Sequence, residues 1–177
     1  MNITDLIWPQ PPENCVYVEQ TFGTCEYIST GYFKAEDVSS DGVGRKFENV
    51  QGVTSMFFDA DLIGMMDALR AGAGQTLEPK VKDRKAWMYA NLSDEQVQKA
   101  KETLLEAVAD TLIDVMQGAP HLIVDSGWGW HFHYAVAEDY RMEKDALKRL
   151  HIMVVNEVNH LINSAFAHDW PKAFDAT

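Results

Sequence analysis

Two aspartates one residue apart, Asp59 and Asp61, close the apolar run Ser55-Met56-Phe57-Phe58. In a strand, residues i and i+2 face the same side, so both carboxylates enter one space and repel each other. A divalent cation relieves that repulsion, and hard oxygen ligands suit Mg²⁺ or Mn²⁺. The plain alternative is a solvated pair at a strand end. The apolar residues just ahead of the pair draw it toward the interior.

A second stretch carries the remaining chemistry. Leu122-Ile123-Val124 runs into Ser126-Gly127-Trp128-Gly129-Trp130-His131, followed by Phe132-His133-Tyr134. Glycines at alternate positions let a backbone approach a ligand closely, and their N–H groups can receive a phosphate. Strand alternation puts Gly127, Gly129, His131 and His133 on one face and Trp128, Trp130, Phe132 and Tyr134 on the core face. An imidazole at the end of a glycine floor can bond a phosphate oxygen or move a proton. His133, one step deeper, reads as structural.

The elements that must hold these two stretches are helices and further strands. Residues 1–14, with Pro9, Pro11 and Pro12, read as an extended arm. Cys15–Thr30 reads as one or two strands broken near Gly23, and residues 31–52 as a long loop carrying Lys34, Arg45 and Lys46. Val53–Asp61 is expected to be one strand and Leu62–Ala71 a short helix, with Trp87 and Tyr89 as packing anchors further on. Ser93 with Gln96 makes a capping box, opening a helix whose stripe includes Ala100, Leu104, Val108 and Leu112 and ends at Gly118. A third helix is expected from about Tyr140 to Phe166, ended by Trp170-Pro171. This pattern predicts an α+β domain with helices packed on a mainly antiparallel sheet.

Composition narrows the classes. The 177 residues suit one domain, with 46% hydrophobic and 24% charged residues. No apolar run of about eighteen residues is present, so no membrane span is expected. The N-terminus lacks the pattern of a signal peptide, and two cysteines, Cys15 and Cys25, fit a reduced cytoplasmic protein. A formal net charge of −12 excludes nucleic-acid binding driven by global charge, leaving only local site chemistry for such a role.

Taken in order, Phe58-Asp59-Ala60-Asp61 and then Ser126-Gly127-Trp128-Gly129-Trp130-His131 resemble the catalytic domain of the archaeo-eukaryotic primase superfamily, in the primase-polymerase branch found on phages and plasmids. The resemblance spans about residues 15–137. It implies an RRM-like catalytic core, with residues 1–177 as a single catalytic domain forming the N-terminal part of a longer replication protein. It makes Asp59 and Asp61 ligands of Mg²⁺ or Mn²⁺, with Asp175 completing the metal site and Asp169 as the alternative. His131 becomes the nucleotide contact, with Ser126, Gly127 and Gly129 shaping the turn. Gly129 stands where many members carry a serine.

The activity implied is template-dependent nucleotidyl transfer on single-stranded DNA. Nucleoside triphosphates are the substrates, Arg45 and Lys46 candidate phosphate contacts, and a fused or associated helicase a partner. Two other readings compete. His131-Phe132-His133 with Tyr140 looks like a rolling-circle replication nuclease using a covalent tyrosine. A non-catalytic nucleotide-binding replisome module is the third.

Overall fold

The computed structural model describes residues 2–22, 25–38, 47–62, 86–88 and 90–165. Arg45, Lys46, Asp169, Asp175, Tyr89, almost all of the expected helix over 62–71 and the Trp170-Pro171 stop lie outside the described residues. The chain gathers into two compact units. One holds residues 1–57 and 133–151, the other 58–132 and 152–177.

In the first unit the N-terminal segment is not purely extended. α1 (Ile3–Ile7) opens on Asn2, whose side chain accepts the Thr4 N–H, and it buries Ile7. An Asn cap can start a helix turn ahead of the prolines, a signal that the proline-rich composition outweighed. Two tethers hold the segment: the Trp8 indole N–H donates to Ser29 O at 3.1 Å, and the Tyr17 hydroxyl to Pro9 O at 2.8 Å.

β1 (Cys15–Phe22) and β2 (Cys25–Lys34) form an antiparallel hairpin, with Cys15 opposite Lys34 and Phe22 opposite Cys25. The register shifts between Tyr17 and Glu19. Cys15 is a free thiol. β2 therefore extends four residues into the stretch expected to be a long loop. β3 (Val50–Val53) takes three more and completes a three-stranded sheet in the order β1-β2-β3. Gly52 earns its place there, because the Tyr32 ring lies where its Cβ would be.

The expected strand Val53–Asp61 is in fact two strands. Thr54, fully buried, separates β3 from β4 (Ser55–Asp61). Its N–H donates to Thr30 O at 2.9 Å and its carbonyl accepts the Val136 N–H at 2.8 Å. A break that satisfies both backbone groups is invisible to a hydrophobicity pattern.

In the second unit, Ser93 caps α2 (Asp94–Met116) with both halves of the capping box present. Leu104, Val108 and Leu112 on its inner face are fully buried. The helix ends on Gln117 in the left-handed region, φ 55°, one residue before the expected glycine. Near its start Met88, not Trp87, is the fully buried anchor. β5 (Leu122–Asp125) and β6 (Gly129–Ala135) follow, and the second sheet has the order β4-β6-β5, again antiparallel. β5 is more exposed than its apolar residues suggest: Ile123 and Val124 lie in the open.

α3 (Lys144–Ala165) begins four residues later than expected, because Glu138–Tyr140 forms a 3-10 turn. Its first residue is pinned: Lys144 Nζ donates to Glu48 O and Val50 O, both at 2.9 Å. Among the described residues the order is β4-α2-β5-β6-α3, and in the sheet β6 lies between β4 and β5. The fold is α+β, as the alternation of patterns predicts, but its described strands divide between two three-stranded sheets.

Candidate functional site

The site residues of β4 and β6 meet because of strand register. The Leu62 N–H donates to Trp128 O at 2.9 Å, fixing the antiparallel pairing at that end. Three residues back along β4 and three forward along β6, Asp59 lies opposite His131. Their side chains meet, with His131 Nε2 3.5 Å from Asp59 Oδ1. The Asp59 side chain is 53% exposed and that of His131 23%, so the pair stands at a solvent-facing surface of the sheet.

Alternation does the rest. Phe58, Ala60 and Leu62 are fully buried, which turns Asp59 and Asp61 to the opposite side. Phe132 is fully buried and keeps His131 on the site face. Gly129, opposite Asp61 in this register, has no room for a side chain: a Cβ there would overlap the Ala60 carbonyl oxygen and stand 3.0 Å from Asp61 Cα. The glycine is thus required by strand approach at the base of the carboxylate pair. A serine there would not fit.

The turn differs from its expected form. Gly127 is not on a strand face; it lies in the turn at φ +88°, a conformation that favours glycine. Ser126 is exposed, and its N–H donates to Gly129 O at 3.1 Å. The Gly127 N–H, which the sequence reading offers to a phosphate, is taken by Asp125 Oδ1 at 2.7 Å.

Asp125 introduces a residue that the sequence reading missed. Lys101 on α2 has a side chain only 6% exposed, and its Nζ lies 2.5 Å from the same Asp125 oxygen. The Trp130 indole N–H donates to Lys101 O at 2.9 Å, and Lys101 Nζ sits 5.0 Å from the Trp130 ring centroid. The Lys101 ammonium, through its hydrogen bond, holds the Asp125 carboxyl below the usual carboxylate range. A signal existed: Lys101 is in phase with Leu104, Val108 and Leu112 on the apolar stripe of α2, where a lysine is out of place.

The chain matches no protein-family model, no curated protein and no solved structure.

The donor set suits a hard cation in kind. Among the described residues no group of three or more His, Cys, Asp and Glu converges on one point. Two carboxylates on one face, with the remaining positions left to water and substrate phosphate, are nonetheless a usual way to hold Mg²⁺. Also among the described residues, no helix is long and apolar enough to cross a membrane.

The other residues singled out lie elsewhere. His133 is buried, as its structural reading expects: its Nδ1 is 3.2 Å from Ser55 Oγ, and its ring stacks on Phe57 and tilts against Trp8. Tyr140 is 62% exposed and lines an open apolar cavity of about 600 Å³ in the first unit, together with Met56, Val136, Leu147 and Leu150. Lys34, at the end of β2, is exposed and 4.0 Å from Glu36.

Proposed function

We propose that this chain is a template-dependent nucleotidyltransferase, a primase-polymerase that joins nucleotides on single-stranded DNA. The observation that supports it best is the Asp59–His131 pair across adjacent strands, with Asp61 on the same face and a glycine turn at the strand end. Asp59 and Asp61 would hold Mg²⁺ or Mn²⁺, which when bound supplies Lewis-acid stabilisation of charge on the transferring phosphate.

The chain's own residues do the positioning. His131, a short step along the same surface, bonds a phosphate oxygen of the incoming nucleotide and orients it toward the carboxylates. Gly129 keeps the two strands close enough for that span. Arg45 and Lys46, in the segment between β2 and β3, are candidate contacts for the triphosphate. The net charge of −12 leaves template affinity to local contacts and to a fused or associated helicase. The setting is the cytoplasm of a host cell during phage or plasmid replication.

The rolling-circle nuclease reading gains less support. It requires both histidines as metal ligands, and His133 is 5% exposed and engaged by Ser55.

The test is nucleotide incorporation on a primed and an unprimed single-stranded template with Mg²⁺ or Mn²⁺. Wild type is compared with an Asp59→Ala/Asp61→Ala double variant. Incorporation by wild type alone is the expected result. Equal incorporation by both, or a tyrosyl-DNA adduct through Tyr140, would end this reading.

A further inference from the structure

Two hydrogen-bond donors in the second unit converge on a single oxygen. Lys101 Nζ and the Gly127 N–H both reach Asp125 Oδ1, at 2.5 Å and 2.7 Å. A lysine whose side chain is 6% exposed needs an anion beside it. Here that anion is half in water: the Asp125 side chain is 52% exposed on an exposed strand end. The same point in space is therefore reachable from water.

The donors are also held from behind. Trp130 holds Lys101 from two sides, by its indole N–H on Lys101 O and by its ring 5.0 Å from Nζ. The Gly127 N–H is aimed by its positive φ and by the Ser126–Gly129 backbone bond. A buried ammonium and a backbone N–H directed at one oxygen are what holds a phosphoryl group.

We propose that Lys101 Nζ and the Gly127 N–H form a phosphoryl-oxygen site, and that the Asp125 carboxylate occupies it as a resident competitor until a polyphosphate displaces it. The inference rests on the nucleotidyltransferase reading for the identity of the phosphate's owner. Asp125 then acts as a gate, raising the concentration of triphosphate needed to fill the turn.

The probe is inorganic tripolyphosphate, titrated calorimetrically into the full chain, with the ¹⁵N–¹H resonance of Gly127 as a local readout. Asp125→Asn keeps the shape of the side chain and its acceptor oxygen but removes the charge. It is expected to tighten tripolyphosphate binding about tenfold or more, since a like charge at contact distance opposes the ligand strongly. Lys101→Met is expected to abolish binding. Should that variant fail to fold, Asp125→Asn and the Gly127 resonance carry the test. Unchanged or weaker binding by Asp125→Asn, an unmoved Gly127 resonance at saturation, or no binding by any variant overturns the proposal. Incorporation is measured separately. Tripolyphosphate binding at Gly127 without incorporation refutes only the polymerase reading. Incorporation with no such binding refutes only this site.

Discussion

Asp59 and His131 face each other across neighbouring antiparallel strands, with 3.5 Å between Oδ1 and Nε2. Seventy-two positions apart in the chain, they are brought together by one register, which the Leu62–Trp128 backbone bond fixes three residues away. A shift of one residue would turn either side chain into the core.

If His131 positions substrate, His131→Ala should lower incorporation by about a hundredfold or more, the low end of what a positioned imidazole contributes. The partly exposed His131–Asp59 contact should matter little to the fold, with about 1 kcal/mol or less lost. Incorporation rates beside a thermal melt separate the two. A large loss of stability with unchanged activity per folded molecule would make His131 structural.

Gly129→Ala and Gly127→Ala should differ in cause and size. At Gly129 the new Cβ meets the backbone of Ala60 and Asp61, which can yield only by parting the strands. The expected cost is about 1–3 kcal/mol or more, together with lost activity. At Gly127 nothing stands within 4 Å of a Cβ, and only the positive φ is penalised. There the cost should be about 1 kcal/mol. Chemical denaturation of both variants gives the comparison, and equal losses would contradict the pairing described.

The Lys101 ammonium depresses the folded-state pKa of Asp125. A depressed carboxylate favours the folded state above its unfolded pKa, and that contribution is lost as pH falls through the lower, folded value. The window is therefore acidic, below about pH 4. With Asp125 half exposed, the effect is about 1 kcal/mol or less. Melting temperatures of wild type and Asp125→Asn should converge as pH falls through this window, and parallel curves throughout would remove Asp125 from the acid response.

Burial pushes the Tyr134 phenol up to about 12. A raised value has the opposite sign of window. Stability is fully present below the unfolded value of about 10 and is lost as pH rises toward the folded one. Ultraviolet titration should show a tyrosine ionising at about pH 12, later than Tyr17 and Tyr32, whose phenols burial also raises, and Tyr134→Phe should remove that last step. A Tyr134 that titrates with the exposed tyrosines would mean that its ring is wet.

Local features were legible in the residue string because short-range rules produce them. The Ser93–Gln96 capping box, the stripe of α2 and the alternation that sets Asp59 and Asp61 apart from Phe58 and Ala60 follow from spacings of two to four residues. So does the outward turn of His131 beside buried Phe132. What those rules cannot reach is where backbone bonds go. Thr54 divides one apolar run into strands of two sheets because Thr30 and Val136 take its N–H and carbonyl. Asp125 takes the Gly127 N–H two residues on through a local turn, but only the placement of α2 brings Lys101, 24 residues away, to the same carboxylate oxygen. The amino-acid sequence by itself determined which side chains could do chemistry and which face each would take. The tertiary structure alone decided which of them meet, because strand register and helix placement are set by pairings far apart in the chain.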